Sequence, residues 1–248
     1  MMNLQRPLVA LAGNPNTGKS TVFNSLTGLN QHTGNWPGKT VVTASGTFTW
    51  AGTTFTIIDL PGTYSLVAHS PDEEAARDFL LLNTPDVTVV VVDACCLERN
   101  LNLALQVLEI TPKAVLCVNL MDEARRRGLS IDASRLALEL GIPVVPCTAR
   151  SGEGLSALKD AIGRIATGQI ATSPRIVDYN PRLESRLAII ASQLTPLSPQ
   201  LSPRWVALRL LERNQSLLQL LTRNQAEPLP PSGIISCSGT DEVVTWLN

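Results

Sequence analysis

The chain has 248 residues, 44% of them hydrophobic and 17% charged, with a formal net charge of −1 at pH 7. A chain of this length can bury a sizeable core in one large or two small domains, and its high apolar content disfavours disorder. The near-zero charge disfavours a nucleic-acid partner, which usually requires a strongly basic surface. The longest candidate run, residues 87–92, is far shorter than the roughly 18 residues of a membrane span. Composition alone therefore predicts a soluble, intracellular protein that binds no nucleic acid.

The cysteine content is typical of a protein from a reducing compartment. The number of cysteines is odd and no C-x-x-C pair occurs, so the sequence indicates neither a disulfide framework nor a zinc site. Three cysteines lie in or beside apolar runs, where a small buried side chain is the expected role. Residues 1–5 lack the charged and apolar regions of a signal peptide. The cysteines are Cys95, Cys96, Cys117, Cys147 and Cys237.

Up to about residue 168, short apolar runs alternate with helical patterns. Near-continuous apolar strands are buried on both faces, as in a parallel sheet. The chain is therefore predicted to have an α/β fold of the P-loop NTPase class, a mostly parallel sheet flanked by helices, with ligand loops at the carboxyl ends of the strands. Strands are predicted at 7–12, 87–92, 114–119 and 143–147, with a hairpin of 41–50 and 53–59 around Ala51-Gly52. Helices are predicted at 19–27, 71–82, 98–110, 132–140 and 154–166.

Beyond residue 168 the pattern changes, because no strong strand run appears and eight of the 17 prolines lie there. Helices are predicted at 183–194 and 203–212, the second with Ser202 as N-cap, and a short helix is one reading of 241–247. We therefore expect two domains, 1–168 and a small all-α domain at 169–248.

The first chemical motif follows a predicted strand and begins a predicted helix, which is the context that a phosphate-binding loop requires. Glycines let backbone N–H groups turn toward phosphate oxygens, and the helix N-terminus adds partial positive charge. We expect Lys19 to bridge the β- and γ-phosphates and Ser20 to ligate Mg²⁺. The loop predicts a nucleoside triphosphate but does not select its base. Its residues are Gly13, Asn14, Pro15, Asn16, Thr17, Gly18, Lys19 and Ser20, with Thr21 next.

Two further loops are candidates for reading a guanine base. The stretch Asn119-Leu120-Met121-Asp122 resembles the N-K-x-D element of GTPases, with leucine in place of lysine. A carboxylate at Asp122 can accept the N1–H and N2–H of guanine, whereas adenine offers neither donor. We expect Asn119 to hold the loop and contact the base. After the next predicted strand, Cys147-Thr148-Ala149 fits the element whose backbone N–H meets guanine O6, and Arg150 follows as a further candidate.

Two segments have the features of nucleotide-dependent switches. Asp59-Leu60-Pro61-Gly62 fits D-x-x-G, in which the aspartate holds Mg²⁺ through water and the glycine amide meets the γ-phosphate. Upstream, Gly38-Lys39-Thr40 offers Thr40 as a second Mg²⁺ ligand. Both contacts need the γ-phosphate, so we expect both segments to order with GTP and relax after hydrolysis. The composition of 27–40 predicts a mobile loop.

Hydrolysis needs a catalytic group that Thr63 does not supply. It follows Gly62 where many GTPases carry a water-orienting glutamine, and its side chain is too short for that role. The best candidate is Asn16, whose carbonyl oxygen would hold K⁺ beside the phosphates in place of an arginine finger. Backbone oxygens of residues 36–38, including Trp36, would complete the shell of the ion.

At this point the chain resembles the N-terminal cytoplasmic GTPase region of FeoB, the bacterial ferrous-iron transporter family. The resemblance rests on GNPNTGKST, GNWPGKTV, DLPGTYSL, SPDEEAARDFLL, VVDACCLERNLNL, NLMDEA and PRWVALRLLE, which cover most of residues 8–213. It implies a Ras-like G domain followed by a helical domain similar to a dissociation inhibitor. It also implies GTP and GDP binding, slow hydrolysis, K⁺ activation through Asn16, and a loop at Trp36 that wraps the ion.

The resemblance implies partners and a location as well. The membrane permease region of the same transporter is the implied partner, and the cytoplasmic face of the bacterial inner membrane is the implied location. We therefore expect this chain to regulate ferrous-iron passage, either as a truncated region or as a split subunit. Formation of a homo-oligomer by this chain is left as an open alternative.

Two other functions compete with this reading. A ribosome- or tRNA-associated GTPase shares the Asn-bearing phosphate loop, but the balance of 20 basic and 21 acidic residues argues against it. A nucleotide kinase is disfavoured because Asp122 is suited to guanine and no arginine-rich lid segment is visible.

Overall fold

The computed structural model describes residues 6–28, 31–35, 42–67, 70–194 and 202–212. The strands in these ranges are β1 (Leu8–Gly13), β2 (Gln31–Asn35), β3 (Val42–Trp50), β4 (Thr53–Asp59), β5 (Val87–Asp93), β6 (Ala114–Asn119) and β7 (Val144–Pro146). The helices are α1 (Lys19–Thr27), α2 (Pro71–Leu82), α3 (Leu97–Ile110), α4 (Met121–Arg126), α5 (Ala133–Leu140), α6 (Leu155–Ala166), α7 (Pro181–Leu194) and α8 (Pro203–Leu211). A 3₁₀ turn, Ala94–Cys96, precedes α3.

The strands form one sheet in the order β2-β3-β4-β1-β5-β6-β7. From β4 to β7 all neighbours run parallel, whereas β3 is antiparallel to both β2 and β4. Every residue of β6 and nearly every residue of β5 is buried, which explains their continuous apolar sequences. The predicted mostly parallel α/β fold is confirmed.

The predicted hairpin is also confirmed. Its two-residue turn consists of Ala51 with φ 45° and Gly52 with φ 80°. Positive φ at both central residues matches the right-handed twist of the flanking strands.

The expectation of a mobile loop over 27–40 is wrong for part of that segment, because Gln31–Asn35 forms strand β2 along the outer side of β3. The sequence of β2 is polar and contains no apolar alternation, so pattern analysis had no signal for it. Backbone pairing with an open sheet edge overrides that weak local preference. Residues 29–30 and 36–41 lie outside the described residues.

The main core lies between one face of the sheet and helices α1 and α6. The rings of Phe48 and Phe55 stack there with centroids 5.1 Å apart, and Phe23 is 1% exposed. Gly163 of α6 faces Trp50 so closely that an added Cβ would lie 2.2 Å from the indole ring. Glycine at this position therefore permits the close approach of helix and sheet.

The chain divides into two compact units, one of Met1–Arg77 with Pro85–Ile176 and one of Asp78–Thr84 with Val177–Asn248. In the first unit, the segment after α6 bonds back to the end of α5, with Ser173 N donating to Gly141 O at 3.1 Å. Cys117 and Cys147 are buried there, as expected for small apolar side chains.

Both helices predicted after residue 168 are confirmed in the second unit, although α7 begins at Pro181, two residues before the predicted start. The predicted N-cap is confirmed, since Ser202 Oγ accepts from Trp205 N at 3.4 Å. Arg204 pairs with Glu184 at 2.7 Å and joins α8 to α7. No helix within the described ranges combines the length and apolar composition that membrane crossing requires. The helix suggested for 241–247 lies outside the described residues.

Candidate functional site

The predicted loops meet because the strands that precede them end at one edge of the sheet. The parallel register pairs Leu11 with Asp59, and Asp93 with Asn119. The carboxyl ends of β1, β4, β5, β6 and β7 therefore lie side by side, where open α/β sheets place their ligand sites.

The phosphate loop connects β1 to α1 through two residues with positive φ. Asn16 has φ 66° and an exposed side chain, and Gly18 has φ 77° directly before the helix. A hydrogen bond from Thr17 Oγ1 to Asn14 O, at 2.9 Å, closes the turn. Gly13 lies so near β5 that an added Cβ would be 2.6 Å from Val91 O. The loop is thus a tight backbone turn at a helix N-terminus, the geometry that favours phosphate. Pro15 is half-buried, and Thr21 lies exposed in the first turn of α1.

Lys19 links this loop to the end of β4. Its Nζ forms a salt bridge with Asp59 Oδ1 and donates to Leu60 O at 2.5 Å. Burial raises the pKa of the Asp59 carboxyl above its ordinary value, although Lys19 and Ser20 pull that pKa down. Ser20 Oγ lies 3.5 Å from Asp59 Oδ2. A hydroxyl and a carboxylate so placed are oxygen donors of the kind that Mg²⁺ prefers, so the residues present fit that ion.

Asn119 joins the two loops predicted to read the base to the predicted phosphate loop. The residue is 1% exposed. Its Nδ2 donates to Thr17 O at 3.0 Å, and its Oδ1 accepts from Ala149 N at 3.0 Å. A Cβ added at Gly18 would lie 2.4 Å from Asn119 Nδ2, so that glycine makes room for the contact. Three loops far apart in sequence are therefore fixed to one another by a single amide.

A cavity of about 620 Å³ opens beside Asn119. It contains the residues predicted to read guanine together with charged residues that the sequence did not single out. Asp122, the second residue of α4, faces this cavity and is paired with Arg126 Nη2 at 3.4 Å. The lining residues are Thr21, Asp93, Cys95, Asn119, Leu120, Asp122, Glu123, Arg126, Arg127, Thr148, Ala149 and Arg150.

Leu120 and Met121 lie at the N-terminal end of α4. Leu120 has φ 62° and precedes the helix, and its Cδ2 lies 3.9 Å from the place of a Cβ on Gly18. The leucine that replaces the usual lysine thus packs toward the phosphate loop. Met121 is buried, and its N–H donates to Cys147 O at 3.2 Å.

The loop after β7 is closed by its own contacts. Thr148 N donates to Glu153 O at 3.0 Å, and Thr148 Oγ1 donates to Glu153 Oε2 at 3.1 Å. Arg125 of α4 holds the same carboxylate with Nη2 at 2.5 Å and Nη1 at 3.1 Å. The hydrogen bonds from Arg125 lower the pKa of Glu153 most, and the hydrogen bond from Thr148 lowers it further, so this pKa lies below its usual value. This pairing connects α4 to the loop after β7 from outside the cavity.

The segment after β4 lies against the phosphate loop. A Cβ added at Gly62 would lie 3.4 Å from Pro15 Cα, and Thr63 N donates to Gly13 O at 3.1 Å. Pro61 is half-buried beside them. The Thr63 side chain is buried, and its hydroxyl donates to Ser65 O at 2.7 Å. The Thr63 hydroxyl is thus directed into a local turn.

Four predicted site residues lie outside the described residues: Trp36, Gly38, Lys39 and Thr40. The second Mg²⁺ hydroxyl at Thr40 and the K⁺-wrapping segment at Trp36 therefore stay predictions.

Comparison with known proteins assigns the family. A family model described as Ferrous iron transport protein B matches residues 8–162, and one described as FeoB cytosolic helical domain matches residues 179–230. The chain belongs to the FeoB family. This confirms the resemblance seen in the sequence.

Among the FeoB relatives, the Fe(2+) transporter FeoB of Salmonella choleraesuis is 38% identical over 213 residues, which are 84% of this chain and 27% of that protein. The Fe(2+) transport protein A/Fe(2+) transporter FeoB fusion protein of Porphyromonas gingivalis is 38% identical over 239 residues, 94% of this chain and 28% of the fusion. The chain thus spans less than a third of the length of the curated relatives it matches.

Solved FeoB structures share the fold. The cytosolic domain of T. maritima FeoB in GDP form I has a TM-score of 0.81 at 39% identity, covering 93% of this chain and 89% of that one. The GMPPNP form of the same domain has a TM-score of 0.79 at 38% identity, with coverages of 92% and 89%.

Sequence reasoning missed several contributors to this FeoB-family site. Arg125 and Glu153 give no motif signal, because their pairing depends on how α4 and the loop after β7 meet. Asp93 did carry a signal, since it ends a buried apolar strand with a carboxylate.

Proposed function

We propose that this FeoB-family chain binds GTP with Mg²⁺ and hydrolyses it to GDP and phosphate. The observation that carries the proposal is the pair of hydrogen bonds by which Asn119 joins the phosphate loop to the loop after β7. These bonds join the turn at the start of α1 to the cavity beside Asn119, which supports a single ligand that extends from one to the other. The GDP and GMPPNP forms of the T. maritima domain support the same ligand class.

The phosphate end of the proposed site combines backbone and charged groups. Backbone N–H groups of residues 16–20 would surround the phosphates, and Lys19 would exchange its present acceptors for phosphate oxygens. Ser20, Asp59 and Thr40 would hold Mg²⁺, which neutralises charge on the phosphate oxygens when bound. The Gly62 amide would donate to the γ-phosphate.

The base end would select guanine through Asp122, supported by Asn119 and the Ala149 amide. We expect Asp122→Asn to weaken GTP binding by about 10- to 100-fold, the effect of losing one hydrogen bond to a charged acceptor, and to relax selection against xanthine nucleotides. Asp160→Asn, at an exposed position of α6, is the control. Competition between labelled GTP and unlabelled nucleotides measures both effects, and unchanged selectivity would refute the assignment.

Potassium activation is proposed for the phosphate loop at Asn16. Its positive φ and exposed side chain support the proposal, because they leave the amide of Asn16 accessible to an ion from solvent, and Trp36 is proposed to border the ion. Turnover of GTP in KCl should exceed turnover in NaCl, and Asn16→Ala should remove the difference. Asn102→Ala, an exposed amide on α3, should retain it. Equal wild-type rates in the two salts would remove K⁺ from the mechanism.

The proposed biological role is regulation of ferrous-iron passage by a membrane permease region, from the cytoplasmic face of the bacterial inner membrane. The FeoB family assignment supports this role. We also propose residues 1–168 as the GTP-binding domain and 169–248 as the helical domain, supported by the two matched ranges. Homo-oligomerisation is proposed as a further property. Iron uptake by the complete transporter should fall on Lys19→Ala, and unaltered uptake would refute the regulatory role.

The alternative is a GTPase bound to ribosomes or tRNA. The balanced charge of the chain favours the transport role. Tight, salt-sensitive binding of rRNA or tRNA in an electrophoretic shift would reverse that preference.

A further inference from the structure

Gln106 of α3 forms hydrogen bonds with the segment that follows Gly62. Gln106 Oε1 accepts from Leu66 N at 2.7 Å and from Ser65 Oγ at 3.2 Å. The Leu66 side chain is 1% exposed, so the backbone at this point is also fixed by burial. A second contact reinforces the first, because the Arg99 guanidinium lies 4.6 Å from the centroid of the Tyr64 ring.

The other end of the same segment is fixed to the phosphate loop. Thr63 N donates to Gly13 O at 3.1 Å, and the Thr63 hydroxyl both donates to Ser65 O and accepts from Ser65 N. Only two residues separate the attachment at Thr63 from the attachment at Leu66. Gly62 therefore directly precedes a short stretch that is held at both ends.

We propose that Gln106 is a positioning residue for GTP hydrolysis, which holds residues 63–66 so that the Gly62 amide stays directed at the γ-phosphate. The inference rests on the proposed function. An amide oxygen suits the task because it has two lone pairs and can accept from both donors at once. GDP has no γ-phosphate, so its affinity should not depend on Gln106.

Two substitutions separate the hydrogen bonds from the space that the side chain fills. Gln106→Met keeps a long unbranched side chain but has no strong acceptor, whereas Gln106→Glu keeps an oxygen acceptor on a side chain of the same length. We expect Gln106→Met to lower kcat for GTP about 3- to 10-fold, the effect of losing one or two hydrogen bonds, while Kd for GDP changes less than about twofold. Gln106→Glu should restore most of the turnover. Asn102→Ala is the control on the same helix.

Hydrogen exchange of the Leu66 amide gives an independent readout, because its acceptor is Gln106. Exchange should be faster in Gln106→Met and slow again in Gln106→Glu. Unchanged kcat in Gln106→Met, or an equal loss of GDP affinity, would overturn the positioning role, as would failure of Gln106→Glu to restore turnover. A wild-type chain without GTP turnover would instead refute the proposed function, and the inference would fall with it.

Discussion

Asn119→Ala removes the amide that joins the phosphate loop to the loop after β7. The substitution leaves Thr17 O without its donor and Ala149 N without its acceptor. Both groups lie in a buried environment, since Thr17 is 1% and Ala149 3% exposed. A buried polar group that loses its partner costs about 1–3 kcal/mol. The two together predict a loss of about 2–6 kcal/mol in the free energy of unfolding, the low end applying if water enters the vacated space.

A loss of that size is a large share of the roughly 5–15 kcal/mol that stabilises a typical domain. Urea unfolding of the full chain, followed by circular dichroism, measures it directly. The substitution should also weaken GDP binding by at least about tenfold, because the loops on both sides of the ligand path are no longer held in position. Isothermal titration of GDP measures this second effect.

Asn102→Ala is the matched control, because it removes the same amide from an exposed position of α3. A surface substitution of this kind usually changes stability by no more than about 0.5 kcal/mol. If Asn119→Ala costs no more than this control and GDP affinity is unchanged, Asn119 does not join the loops and the common ligand path is refuted.

Two further predictions concern packing and pH. Gly163→Ala places a methyl group 2.2 Å from the Trp50 ring. We therefore expect the free energy of unfolding, measured in urea, to fall by about 1–3 kcal/mol. The control Ser156→Ala, on the exposed side of α6, should change that free energy little. A stabilising Gly163→Ala would contradict the close approach. Arg125 lowers the pKa of Glu153 in the folded chain, so the contribution of this pair is present above the unfolded pKa and is lost as the pH falls through the lower, folded pKa. The stability difference between wild type and Glu153→Gln should therefore be present at pH 7 and shrink below about pH 4.5; a difference that is equal at both pH values would exclude the ion pair as its source.

Much of the fold was predictable because hydrophobic burial leaves a regular trace in the sequence. The buried strands β5 and β6 are continuous apolar runs, and α1 and α2 begin and end at the residues that their patterns predict. The strand β2 left no such trace, since its five residues are polar and its pairing depends on an edge offered by β3. The six-residue helix α4 was also missed, because so short a helix has no measurable periodicity.

The placement of the loops was predictable for a different reason. Parallel strands end at one edge, so motifs that directly follow such strands must converge. Contacts between distant side chains were not predictable in this way. Gln106 lies 40 residues from Leu66 and Arg125 lies 28 from Glu153, and no local pattern relates the members of either pair.

Lys19 couples the phosphate loop to the segment that begins at Asp59. Its Nζ donates to the Asp59 carboxylate and to Leu60 O, and the third N–H of the ammonium can donate to a phosphate oxygen before either contact is given up. Where the proposed exchange of acceptors frees an oxygen of Asp59, that oxygen lies beside the Ser20 hydroxyl, the other proposed Mg²⁺ ligand. The backbone of Leu60 is held in place, because Leu60 N donates to Leu11 O at 3.0 Å and the residue is 1% exposed. Residues 63–66 are fixed by Gly13 and Gln106. We therefore expect phosphate binding to move the Asp59 side chain while the backbone of Leu60 and of residues 63–66 stays in place.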